Sequence, residues 1–467
     1  MKKNRVLMIF VLVICLALTS SLMACKKPTV QENDTLVVGY SDFSSKFSPF
    51  FAKTAYDQDA SNMTMVNLLT TDRQGNIIYN AIDGETTKYQ GKDYTYKGMA
   101  NFDVDIRETE TVYTITIRSD IKFSDGKPLT IDDVIFSMYV LSDPSYTGSA
   151  TLYSQPIKGM EDYRTNGIDK TEEAATYMVD AKALAYEYGL FYNGVEEENT
   201  LTESEMVVID WLIENTVNTP AFDWVSDYSL TQLQGWYGGA TEEETFANIA
   251  TDELFGFEYH DHDNDPDTDD VLKIEEEKYF LAYYSSYAGD LQRMKAVQMA
   301  NEEAKDKGVV VKSISGIKKT GPYTMTVTTE GFDATTIYQL GIDVAPIHYY
   351  GDTAKYNYKE EKYGFDKGDL SIIRAKTTKP MGAGAYIFQK FENGVIYYES
   401  NTSYFKGAPK IKYVQFKETT DADKVPGVIA GTFDLTDPSF NNKAIDAIKD
   451  ANGGSLVGSK IRTSTVD

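Results

Sequence analysis

The 467-residue chain holds only two cysteines, three histidines and three tryptophans. Cys15 and Cys25 are too few for a disulfide framework or a Cys-rich zinc site. His260 and His262 stand two apart, not at the i, i+4 spacing that puts two ligands on one helix face, and no H-E-x-x-H occurs. Basic residues are also scarce: 45 Lys and Arg face 71 Asp and Glu, a formal net charge of −26. A general nucleic-acid binder needs a basic face, so that class is excluded. There is no G-x-S-x-G and no spare thiol, hence no visible nucleophile–base pair. The stretch Gly382-Ala383-Gly384-Ala385 lacks the third glycine of a dinucleotide loop and precedes a strand. A protein that is not an enzyme and needs no cofactor or metal is expected. What is abundant is ordinary globular material, 42% hydrophobic and 25% charged. At roughly 150 residues per domain the length allows two or three domains.

Long apolar runs are confined to the start. Lys2, Lys3 and Arg5 precede the apolar stretch Val6 to Leu18, and small polar residues lead to Leu22-Met23-Ala24-Cys25. Residues 1–24 read as a signal peptide, and Leu22 to Cys25 resemble the lipobox of bacterial lipoproteins. That resemblance implies lipidation of Cys25 and a location on the outer face of the cytoplasmic membrane, held by acyl chains. Residues 25–34 read as a tether.

The acidity is uneven. Residues 1–160 sum to −2 and residues 311–467 to +2, so the whole imbalance lies in 161–310. This block reads as a helical, heavily solvated insertion. Thr171 to Tyr188 is amphipathic, Thr202-x-x-Glu205 and Thr241-x-x-Glu244 suit two further capped helices, and Ile274 to Asn301 supplies more. The oxygens of Asp261 to Asp270 are spaced as for a hard cation. Pro266 and Leu272 occupy the places where a calcium loop needs Gly and Glu, so a solvated loop is expected.

The flanks are β-rich. Leu36 to Tyr40 reads as a strand, Ala60 to Leu69 as a helix, and Asp72 to Asn76 as a turn. Thr111 to Arg118 alternates as a half-buried strand does; Ser124-Asp125-Gly126-Lys127-Pro128 is turn chemistry. Thr130 with Asp133 caps a helix that stops at Asp143-Pro144. Val309 to Ile317 and Pro322 to Thr329 read as paired strands. Tyr386 to Phe391 and Val395 to Glu399 form a hairpin turning at Asn393-Gly394, and Ile411 to Lys417 is a further strand. His348 reads as structural. Gly384 reads as permitting a tight backbone turn.

Three stretches in order resemble the family 5 extracellular solute-binding proteins, the oligopeptide- and dipeptide-binding lipoproteins of ABC importers. They are Tyr113 to Val134, with its Phe123-Ser124-Asp125-Gly126 core; Gly382 to Phe388 followed by Asn401 to Ile411; and Gly431-Thr432-Phe433-Asp434-Leu435. The resemblance implies an α/β fold: a two-lobed, periplasmic-binding-protein-like clamp with an extra domain in the first lobe. The helical acidic insertion enlarges that domain, and the second lobe is incomplete. Lobe I would be residues 35–78 and 346–435, and the extra domain 79–345 with the insertion at about 161–310. The start of lobe II would be 436–467, apparently truncated. The implied function is capture of peptides in an interlobe cleft by a monomer and delivery to a membrane permease with its ATPase. Nickel complexes or oligosaccharides are alternative cargoes, and a surface adhesion or sensing lipoprotein is an alternative role. The Ser124-Asp125-Gly126 motif is expected to be turn and cap chemistry. By position, the resemblance places Phe47, Pro49, Lys53, Thr54 and Tyr56, and then Thr436, Asp437, Pro438 and Ser439, against ligand.

Overall fold

The structure, a computed structural model, describes residues 34–52, 54–178, 234, 289, 291–439, 441–458 and 460–463. The leader, Cys25, Lys53, the acidic run Asp261–Asp270, His260, His262 and the helices expected from Thr202 and Thr241 lie outside the described residues.

Two sheets organise the rest. The first has strand order β10-β11-β12-β1-β13, from β1 (Thr35–Tyr40), β10 (Tyr386–Glu392), β11 (Val395–Ser400), β12 (Tyr413–Glu418) and β13 (Leu435–Thr436). β10, β11 and β12 run antiparallel to one another. β1 is parallel to β12 on one side and to β13 on the other. The β10–β11 hairpin turns where expected, with Asn393 (φ 52°) and Gly394 (φ 69°) both in the left-handed region that a two-residue primed turn demands. One face buries Val38, Ile396, Tyr398, Val414 and Phe416 under Phe47 and Ala60, which the chain supplies as it leaves β1.

The second sheet, order β4-β5-β7-β6, is antiparallel: β4 (Ala100–Ile106), β5 (Glu110–Ile117), β6 (Ile317–Lys319) and β7 (Thr324–Glu330). Alternation in the sequence becomes alternation in burial. Tyr113, Ile115 and Ile117 on β5, with Met325 and Val327 on β7, face the core. Thr114 opposite Thr326, and Thr116 opposite Thr324, lie on the other face. Two hairpins, β2 (Glu85–Tyr89) with β3 (Lys92–Tyr96) and β8 (Tyr356–Asn357) with β9 (Lys362–Tyr363), stand apart from both sheets.

Helix α2 (Ile131–Ser142) is the centre of the larger core, with Ile131, Val134, Ile135, Phe136, Met138, Tyr139 and Val140 fully buried. A helix apolar all round must be enclosed, and each such side chain removed from water contributes about 1.5–3 kcal/mol. Its buried serines bond one turn back, Ser137 Oγ to the Asp133 carbonyl and Ser142 Oγ to that of Met138, both at 2.8 Å. The cap works mainly through Asp133, whose Oδ2 accepts from Thr130 N at 2.9 Å and whose Oδ1 accepts from Ile347 N at 3.1 Å.

Several boundaries differ from the sequence expectation. The first helix, α1, is Ala55–Asn62, not 60–69, because Thr54 Oγ1 accepts from Asp57 N at 3.1 Å and starts it early. Residues 309–316 form no strand before β6, and Val309 and Val310 are exposed. Helical segments are present at 171–178 and 291–307, inside the block expected to be helical. After β12 the chain forms α3 (Asp421–Ala430) and α4 (Asn442–Ala451). These join through Val425, Ile448 and Ile461.

Gly384 is needed for close approach, not for a turn. A Cβ there would sit 2.4 Å from the Thr64 carbonyl carbon, and its N–H bonds Thr64 O at 2.8 Å. Gly384→Ala should therefore destabilise by about 1–3 kcal/mol, read as a fall in the urea midpoint with an unchanged slope. Asp133→Ala leaves the buried Ile347 N–H and the half-buried Thr130 N–H unsatisfied and should cost about 2–4 kcal/mol in the same assay.

Candidate functional site

In open α/β sheets the crevice for a ligand lies beyond the carboxyl ends of parallel strands. Here those ends are Tyr40 of β1, Glu418 of β12 and Thr436 of β13. Three chain segments meet beyond them: the loop 41–52 with the start of α1, the helix α3, and the segment after β13.

The first segment is tied down at both ends. Phe43 N donates to Glu418 Oε1 at 3.0 Å, Ser44 N to Asp57 Oδ2 at 3.2 Å, and Thr54 Oγ1 to the same oxygen at 2.8 Å. Tyr56 on α1 meets Tyr40 edge to face, ring centres 5.3 Å apart. Tyr40 Oη donates to Asp59 Oδ2 at 3.2 Å. Burial, then the Asp59 carboxylate, pushes the Tyr40 hydroxyl well above its usual range, so it stays a neutral donor.

Lys424 links all three segments. Its side chain, reaching in from α3, is only 2% exposed. The ammonium donates to Ser41 Oγ at 3.0 Å, to the Asp437 carbonyl at 3.2 Å and to Tyr56 Oη at 3.4 Å, and pairs with Asp437 Oδ1 at 3.0 Å. Burial works to lower its pKa; the Asp437 carboxylate and the Tyr56 hydroxyl outweigh this and leave it raised. Nearby, Thr436 Oγ1 donates to Gly39 O at 2.8 Å and Ser439 N to Asp421 Oδ1 at 2.9 Å.

Of the residues that the sequence places against ligand, Thr54, Tyr56, Thr436, Asp437 and Ser439 converge at this end of the sheet. Phe47 is 0% exposed and wedged among Phe43, Phe388 and Phe391, so it shapes the loop from beneath. Pro49 borders a separate cleft against the second sheet's core. Pro438 is half-buried beside Asp437. Lys53 is outside the described residues. Tyr40, Ser41, Asp59 and Lys424 were not anticipated. A signal existed for Lys424: it is a lone cation beside Val425 and Val428 on the crossover between parallel strands, where a charge facing inward needs partners.

The arrangement offers fixed donors, carboxylates and aromatic edges. It suits holding a polar solute and not bond cleavage. Among the described residues no group of His, Cys, Asp and Glu is placed to hold a metal ion. His348 is structural: its Nε2 lies 2.8 Å from Asp125 Oδ2 and its ring meets Phe123.

The sequence profile of the bacterial extracellular solute-binding proteins, family 5, middle region, matches residues 96–226 and 270–465. The chain belongs to this family, whose members bind solutes and are not enzymes. No curated protein matches it. Among solved structures, it is similar to the oligopeptide-binding protein AppA from Bacillus subtilis in complex with a nonapeptide, at 14% identity and TM-score 0.40. That match covers 89% of this chain and 45% of AppA. Lactococcal OppA, complexed with an endogenous peptide in the closed conformation, gives 14% identity, TM-score 0.42 and coverages of 86% and 46%. NikZ from Campylobacter jejuni, in complex with Ni(L-His), gives 11%, 0.37, 86% and 42%. The chain spans about half the length of the solved structures it matches. Among the described residues no helix is long and apolar enough to cross a membrane.

Lys424→Met should lower stability by about 2 kcal/mol. Asp437 is 60% exposed, so solvent screens the ion pair and most of the loss is the ammonium's hydrogen bonds. Because the folded-state pKa is raised, Lys424's contribution is full below the unfolded lysine value of about 10.4. It is lost as pH rises through the folded value. The gap in unfolding free energy between wild type and variant should hold from neutral pH to about 10 and shrink only above that, measured by urea titration at each pH.

Proposed function

We propose that this protein is the substrate-binding lipoprotein of an ABC importer, capturing peptides in an interlobe cleft and delivering them to a membrane permease powered by an ATPase. The observation that carries the reading is the cluster around Lys424. It joins the loop leaving β1 to the segment leaving β13 at the carboxyl ends of three parallel strands, in a chain whose family binds solutes. Thr54, Tyr56, Thr436, Asp437 and Ser439, with Tyr40 and Ser41, form this end of the cleft. Neutral hydroxyls and backbone groups there suit the amide groups of an extended peptide, with water accommodating varied side chains.

Lobe I is then the five-stranded sheet with its covering loop, residues 35–78 and 346–435. The four-stranded sheet is the extra domain, 79–345. The chain beyond Thr436 leads into a second lobe, and closure of the two lobes buries the peptide. Acylation at Cys25 holds the protein on the outer face of the cytoplasmic membrane, where it works as a monomer.

Thermal unfolding of the intact protein against pools of peptides, oligosaccharides and metal complexes tests the cargo. A rise in melting temperature with peptides alone is expected, and no shift with any peptide pool overturns peptide capture. Radiolabelled palmitate should enter the wild-type protein in cells, and Cys25→Ser should abolish the label and release the protein from the membrane fraction.

A further inference from the structure

A cleft of about 770 Å³ opens where the loop leaving β1 and α1 face the far end of α2 and the segment 338–343. Its walls are polar but almost uncharged: Gln58, Asn62, Ser149, Thr151 and Gln339 line it, and Asp343 is the one charged side chain among the described lining residues. The carboxylate is firmly placed. Leu68 N donates to Ile342 O at 2.9 Å and Val344 N to Val66 O at 3.0 Å, so Asp343 rides on a paired, extended segment. The Asn67 amide clamps the same segment, donating to Gly341 O at 2.8 Å and to Asp343 Oδ1 at 3.1 Å, while its own oxygen accepts from Leu69 N at 3.0 Å.

Among the described residues Asp343 has no other hydrogen-bond partner and no cation within ion-pair distance. Burial pushes its carboxyl above the ordinary range. The buried hydroxyl of Ser61, on the same wall, also lacks a partner among the described residues. A half-desolvated carboxylate with one neutral donor is costly unless a cation arrives to pair with it. An anionic solute would be repelled, and a neutral donor would offset the cost less than a charged one. The two tyrosines of the wall, Tyr146 and Tyr338, donate elsewhere, to Phe50 O at 2.7 Å and to Gly75 O at 3.3 Å, and offer no counter-charge.

We infer that this cleft seats an organic cation, the ammonium or guanidinium of a basic side chain on the captured solute, with Asp343 as its counter-ion and the amide-lined walls fixing its stem. The inference rests on the peptide-capture reading for the source of the cation, and its test separates the two. Isothermal titration of the intact protein at neutral pH would use three probes: a lysine-containing tetrapeptide, the same peptide acetylated on the lysine side chain, and putrescine. The lysine peptide should bind at least tenfold more tightly than its acetylated form. Asp343→Asn should bring the two within about twofold. Equal affinities for both peptides in the wild type overturn the cation site while peptide capture stands, and this comparison needs no variant to fold. Putrescine binding that is lost in Asp343→Asn, with neither peptide bound, supports the cation site and overturns peptide capture. No binding of any probe overturns both.

Discussion

The architecture depends on one constraint: β1 is an interior strand whose neighbours come from the far end of the chain. Val37 N donates to Asp434 Oδ2 at 2.8 Å across 397 residues of sequence. A central parallel strand has both edges to satisfy. β12 and β13 satisfy them, and the crossover between these two is α3. The helix is thereby laid along the sheet with Lys424 pointing to the strands' carboxyl ends. The loop after β1 has no freedom either, since Phe47 is locked into the aromatic face and Glu418 and Asp57 hold its amides. The candidate site follows from strand pairing, and its geometry is fixed before any solute arrives.

Two carboxylate environments then divide the work. Around Lys424, Asp437 and Asp421 face a cation of the protein's own, and the charges are met internally. At Asp343 the described residues supply a rigid clamp but no cation. The first arrangement joins segments and stabilises. The second remains chemically incomplete, and a built but incomplete polar wall is what a binding cleft needs.

Much of this was legible in the sequence where a local rule governs. The alternation in 111–118 and 323–328, the Asn393-Gly394 turn and the stop at Asp143-Pro144 all depend on neighbours in sequence, and each lies where read. The limits appear where tertiary contacts decide. Ala60 to Leu69 has helical spacing, yet the helix is set by Thr54 upstream; the Met63 and Thr64 carbonyls then accept from Tyr386 N and Gly384 N, and Val66 to Leu68 pair with 342–344. α3 escaped because Pro426 sits inside it as its sixth residue, where the ring removes the N–H that would bond the Ala422 carbonyl one turn back. Val309 and Val310 looked like strand residues but find no partner to pair with. Lys424 could be named only once the crossover was known, because its partners Ser41, Tyr56 and Asp437 come from three separate stretches.

The stretches that carry the family resemblance are the ones that dock the parts together. Ser124 N donates to Gly382 O at 2.9 Å, joining the first stretch to the second. Asp125 of the same turn meets His348, and Lys127 N closes the turn on Asp125 Oδ1 at 3.1 Å around Gly126, whose φ of 86° favours glycine. The second stretch lies against Thr64 and Met65, where only glycine fits. In the third, Phe433 covers Gly39 and Asp434 bonds β1 on both its backbone and its side chain. Each of these contacts joins one part of the protein to another. The pattern that identifies the family therefore encodes how two sheets are held against one another. In the proposed reading the solute is met by residues outside these three stretches, on the cleft walls around Lys424 and Asp343.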